Sequence, residues 1–129
     1  LLGLSGVSND FRDIHQAAEA GNERARLAID AYVHAIRHWI GAFLFQMGGL
    51  EALVFTAGIG ENQHDLREAV CAGLEGLGIR LDPDRNAHPP SAECDVAAPG
   101  SAVRILVLPT NEELVVARET RRLLEGTLS

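Results

Sequence analysis

The sequence predicts an α/β fold in which parallel strands are flanked by helices. Three observations predict it. Two continuous apolar runs, residues 50–56 and 103–109, each lead at once into an amphipathic stretch, the pattern of a buried parallel strand followed by its helix. A longer segment before them, residues 22–47, repeats apolar side chains at steps of three and four, which is the period of a helix. Finally, two strands are too few for a stable sheet, so the rest of the sheet is expected in residues this chain lacks.

The elements follow in order. SNDFRDIHQAAEAGN suits a short helix, with Ser8, Asn9 or Asp10 as its cap and Gly21 as its stop. The long helix places Tyr32, Ile36, Trp39, Ile40, Phe43 and Met47 on one face, and Gly48 and Gly49 end it. In the first strand run the single acidic residue is Glu51. After the Gly58 and Gly60 turn, Leu66, Val70, Leu74 and Leu77 form another helical stripe closed by Gly78. IRLD suits a short strand, and DPDRNAHPPSAE a loop. VRILVLP is the second buried strand, and TNEELVVARETRRLLEG the last helix.

Composition bounds the function. The chain has 129 residues, 47% of them hydrophobic, enough for one domain with a core. No apolar run reaches the ~18 residues that span a bilayer, so no membrane partner is expected. LLGLSGVSND lacks the basic region and cleavage pattern of a signal peptide. The first residue is Leu, so the chain is expected to be an internal piece of a larger protein. The formal charge is −7, and all eleven basic residues are Arg. That disfavours nucleic acid, whose phosphates need clustered positive charge. Without Lys there is neither a Schiff base nor a GxxxxGK[ST] phosphate loop. Cys71 and Cys94 have no CxxC spacing and suit free thiols in a reducing, cytoplasmic compartment.

Two strand ends carry candidate chemistry. Gly58, Ile59, Gly60, Glu61 and Asn62 stand where a strand enters a helix, the usual ligand crevice of an open α/β sheet. Glycines let a phosphate approach the backbone, and free helix-end N–H groups favour an anion. A plain turn explains the same spacing. Asn62 suits an N-cap, with Asp65 three residues on. At the second strand end, Thr110 and Glu113 have the form of a capping box. Glu112 is left over as a Mg²⁺ ligand or as a charge favouring the helix end. Asp10, Phe11 and Arg12 suit either a nucleotide clamp or a helix start with solvated charges. His34 and His38 are spaced four apart but lack a third ligand. No role is assigned to them, to His15, His64 and His88, or to Arg121 and Arg122.

SGVSNDFRDI, VFTAGIGEN and LPTNEELVVARET, in this order and spacing, closely resemble the C-terminal part of the acetate kinase family. The resemblance runs over nearly the whole chain and is weakest between residues 82 and 100. It implies part of a ribonuclease H-like domain of the actin-like ATPase type. It also implies reversible Mg²⁺-dependent phosphoryl transfer from ATP to acetate, giving acetyl phosphate and ADP. By resemblance Asp10, Phe11 and Arg12 lie in the nucleotide site, Gly58 to Asn62 run along the nucleotide, and Glu112 serves the Mg²⁺. Homodimer contact through C-terminal domains is implied too. All 129 residues would belong to the nucleotide-binding domain. The acetate pocket and the catalytic residues would lie in an N-terminal part absent here, so no catalytic residue is expected in this chain, and the chain alone should be inactive. A propionate or butyrate kinase of the same fold, or a non-catalytic nucleotide-binding or interaction module, are the alternatives.

Overall fold

A computed structural model describes residues 1–127, with the side chains of residues 112 and 127 outside the description. Helices α1 (Leu2–Ser5) and α2 (Phe11–Glu19) precede the long α3 (Glu23–Met47). Strand β1 (Ala52–Phe55) leads into α4 (Ala57–Asn62) and α5 (His64–Cys71). A 3-10 turn (Glu75–Leu77), α6 (Pro83–Ala87) and β2 (Cys94–Asp95) follow. Strand β3 (Arg104–Val107) and α7 (Glu112–Thr127) close the described chain.

The helix ends are set by capping side chains and a glycine. Asp10 caps α2 by accepting from the Arg12 N–H. Asn22 caps α3 by accepting from the N–H groups of Arg24 and Ala25, two donors that otherwise lack a partner in a first turn. Gly48, at φ 72°, ends α3 in the left-handed conformation. Arg37 then ties α3 to α5. Its Nη1 donates to the carbonyls of Ala69, Val70 and Ala72, where the end of a helix favours a cation.

The sheet order is β1-β3-β2. Strands β1 and β3 are parallel neighbours, with Ala52 opposite Arg104 and Phe55 opposite Val107, as the sequence predicts. Helix α6 forms inside the DPDRNAHPPSAE segment expected to be loop, and β2, which pairs antiparallel with β3, follows directly after it. The expected IRLD strand is reduced to one bridge, Leu81 with Ala97. Phe55, Leu66, Val70, Val96, Ile105 and Val107 form the core over this sheet.

Two expectations about stripes change. Tyr32, Ile36 and Ile40 pack on the core, but Trp39, Phe43 and Met47 are 59%, 52% and 62% exposed. A 25-residue helix is about 37 Å long, whereas a four-residue strand spans about 13 Å. The helix therefore outreaches the sheet, and Trp39, Phe43 and Met47 are left facing solvent. The stripe after Gly60 also breaks early. Helix α5 stops at Cys71, Gly73 takes φ 71°, and Leu77 ends 55% exposed on the 3-10 turn. Both cysteines are free, and burial pushes the Cys71 thiol up to about 11, which leaves it inert at neutral pH.

Candidate functional site

The exit from β1 is built differently from a glycine turn. Thr56 is extended, and the residue that takes the left-handed conformation is Ala57, at φ 60°. A non-glycine residue there is strained. Gly58 and Gly60 are helical, in α4, so neither supplies a positive φ. They do different jobs. A Cβ on Gly60 would lie 3.3 Å from the Phe55 carbonyl carbon, so Gly60 lets α4 sit tightly on the strand end. A Cβ on Gly58 would meet nothing within 4 Å, so that stretch of backbone is open to an incoming group.

Asn62 is not the cap of the next helix. It ends α4, and its Nδ2 donates back to the Gly58 carbonyl at 2.8 Å. The residue at the cap of α5 is Gln63, without a side-chain cap bond. The expected cap failed because a short separate helix occupies the residues read as a turn.

Asp10, Phe11 and Arg12 are brought to the same place. They line a cavity of about 460 Å³ together with Asn9, Gly58, Ile59, Asn62 and Gln63. That volume falls within the ordinary range of small-molecule sites. Arg12 Nη2 lies 2.6 Å from Asp10 Oδ2. The Arg12 side chain and its backbone N–H together pull the Asp10 carboxyl down to about 2. Phe11 borders the cavity but is only 4% exposed, and its ring meets Tyr32 at 5.6 Å in the core.

The second strand end is tied to the first. Glu61 Oε1 accepts from the Thr110 N–H at 3.0 Å and lies 3.3 Å from its hydroxyl, across 49 residues of sequence. Thr110 therefore does not make the expected capping box with Glu113. Asn111 takes the cap instead, its Oδ1 accepting from the Leu114 N–H at 2.9 Å. The capping argument that set Glu112 apart from Glu113 is thereby lost. The Glu112 side chain lies outside the described residues, and only its place at the start of α7 is known.

Several polar contacts carried no sequence signal. Arg67 and Asn86 are each 1% exposed and bond to one another beneath α4. Burial pulls the Arg67 guanidinium below its ordinary value. His15 Nε2 lies 3.2 Å from Asp65 Oδ2, and His64 Nδ1 lies 2.8 Å from Asp65 Oδ1, so the middle of α2 and the start of α5 share a polar contact. Residues fifty apart leave no pattern to read. Among the described residues no group of three or more His, Cys, Asp or Glu side chains converges as a metal cage.

The chain is similar to known proteins over most of its length. The family model described as the acetokinase family matches residues 1–118. The chain is 48% identical over 126 residues to the acetate kinase of Heliobacterium modesticaldum, covering 98% of this chain and 31% of that one. The acetate kinase structure from Porphyromonas gingivalis superposes with a TM-score of 0.86 at 44% identity, over 95% of this chain and 31% of that one. A propionate kinase structure from Francisella tularensis gives 0.80 at 36% identity, over 92% and 29%. The chain thus spans about a third of the length of the relatives it matches.

The tie between the two strand ends predicts a local effect. Glu61→Ala should speed amide exchange at Thr110 roughly fivefold, as expected for losing about 1 kcal/mol of hydrogen bonding. Glu61→Gln keeps an oxygen for that N–H and should change it little. Equal exchange at Thr110 in wild type and Glu61→Ala would show that the brace does not hold the turn.

Proposed function

The chain belongs to the acetokinase family, and we propose that it forms the nucleotide half-site of an enzyme that moves a phosphoryl group reversibly between ATP and acetate. One observation carries this reading. Asp10 to Arg12 and Gly58, Ile59 and Asn62, far apart in sequence, line one cavity of about 460 Å³, and Glu61, on the same helix as Gly58, bonds to the Thr110 turn. The open backbone at Gly58 is where phosphates would approach. The adenosine end would lie toward Asp10 and Arg12. Glu112, from the turn that Glu61 braces, would serve Mg²⁺, which neutralises charge on the transferring group.

The remaining machinery belongs to the N-terminal part of the enzyme. Leu53, Val54, Phe55, Thr56 and Ala57 line a second, apolar cavity of about 540 Å³ with Tyr32, Ile36 and Ile40. Neighbouring strand residues point to opposite faces, so a cavity lined by a consecutive run follows the strand's edge. That edge of β1 is the one not paired with β3, and it suits further strands of the same sheet. Positioning from both sides of a cleft is what phosphoryl transfer requires, and this chain alone is expected to transfer nothing. The likeness to a propionate kinase favours a second reading, in which propionate replaces acetate.

In the complete enzyme, Gly58→Val should raise the nucleotide KM about tenfold or more by crowding the phosphate approach, with the melting midpoint little changed. Glu112→Ala should lower kcat and raise the Mg²⁺ concentration needed for half-maximal rate. An unchanged nucleotide KM in Gly58→Val sinks the half-site assignment, and normal Mg²⁺ dependence in Glu112→Ala sinks the metal role. Comparing kcat/KM for acetate and propionate decides between the two acceptors.

We also propose a homodimer that covers the end of α3. Trp39, Phe43, Phe45 and Met47 are all exposed there, and the Trp39 and Phe43 rings lie 6.0 Å apart. Exposed aromatics grouped in this way mark a partner surface. Sedimentation velocity should give a dimer for the wild type and a monomer for Phe43→Asp. A wild-type monomer would refute it.

A further inference from the structure

We propose that Asn86, which lies in no motif, is a positioning residue for the nucleotide half-site and acts through Arg67. The proposal rests on the half-site reading above. Asn86 Oδ1 accepts from Arg67 Nε at 2.7 Å, and the Asn86 carbonyl accepts from Arg67 Nη2 at 2.9 Å. Asn86 Nδ2 donates to the His64 carbonyl at 2.8 Å, at the start of α5. Arg67 Nη1 then donates to the carbonyls of Gly60 and Glu61, at 2.8 and 2.9 Å. Asn86 fixes one side of the guanidinium, and the other side fixes the end of α4.

The direction of control follows from geometry. A guanidinium is a rigid planar fork. Once its Nε and Nη2 edge is held, its Nη1 is aimed. Asn86 is itself held, because its N–H donates to the Asp82 carbonyl at 2.9 Å and Asp82 caps α6 through the Asp84 and Arg85 N–H groups. The placement of α6 is thereby passed to Gly60 and Glu61. From Glu61 it passes to Thr110. The segment from Asp82 to Gly100, where the family resemblance is weakest, thus supports the site from behind.

Stability alone would not select this arrangement. Two apolar side chains of similar volume fill a buried space at least as well as a buried charge does. They cannot hold two carbonyls at a helix end. Arg67 also has no carboxylate within ion-pair distance among the described side chains. Its charge is met by neutral oxygens, which leaves positive potential beneath α4, where an anion would arrive.

The test uses the complete enzyme and measures kcat and the KM for nucleotide and for carboxylate. All assays run well below each variant's melting midpoint, with Gly58→Val as the reference for the site. Asn86→Ala should raise the nucleotide KM about tenfold, the size of effect a small misplacement produces, and leave the carboxylate KM within about twofold. Asn86→Asp keeps the oxygen facing Arg67 but loses the donor to His64, and should fall between wild type and Asn86→Ala. If Asn86→Ala does not fold, Asn86→Asp decides by the same split. A lowered melting midpoint with both KM values unchanged means that Asn86 is structural only, and overturns the proposal. If Gly58→Val raises the nucleotide KM and the Asn86 variants do not, the positioning role fails alone. If Gly58→Val also leaves it unmoved, the half-site reading fails and this proposal falls with it.

Discussion

A buried guanidinium without a carboxylate partner is the constraint on which the site depends. Arg67 is 1% exposed, and a charge so placed is costly unless every donor finds an oxygen. Here the oxygens are the carbonyls of Gly60, Glu61 and Asn86 and the amide of Asn86. Meeting that requirement ties the end of α4 to α5 through Arg67 and holds α6 against α5. The acidic composition of the chain makes this solution notable in physical terms, because carboxylates are plentiful and none among the described side chains pairs with Arg67.

Two consequences follow for the open face of the same helix. Gly60 sits where α4 packs on the end of β1, and a Cβ there would lie 3.3 Å from the Phe55 carbonyl carbon. Gly58, on the exposed turn, is left with free space. The strain at Ala57 sits at the one point where the chain turns from strand into this clamped helix, as strained backbone often does beside a binding site. The Glu61 carboxylate then reaches the Thr110 turn. Two parallel strands that end side by side are in this way joined at their carboxyl ends, the face of an α/β sheet where ligands bind.

Much of this was legible in the sequence because it depends on local signals. The cap at Asp10, one of three candidates, the stop at Gly48 and the parallel pairing of 52–55 with 104–107 follow from residue type and period. The grouping of Asp10, Phe11 and Arg12 with Gly58 to Asn62 came from family resemblance, and of that second segment Gly58, Ile59 and Asn62 share the cavity. What was missed is nonlocal. Thr110 and Glu113 fit a capping box by spacing, but Glu61 competes for Thr110 from 49 residues away, and Asn111 takes the cap. Asn62 fits a cap by type, but α4 consumes it. Arg67 beside an apolar stripe looks like solvated helix surface until Asn86 is seen against it. The long stripe from Tyr32 to Met47 gives the period correctly and cannot tell how far the sheet beneath it extends.

The central claim is that the start of α2, the open turn of α4 and the Thr110 turn form one nucleotide half-site. The most direct test is a crystal structure of the complete enzyme with ADP bound. The account predicts phosphate oxygens within hydrogen-bond distance of the backbone at residues 58–60, and the nucleoside in the cavity between Asp10, Arg12 and Asn62. ADP bound elsewhere, for example in the cavity lined by Glu68, Arg80 and Pro83, would contradict it.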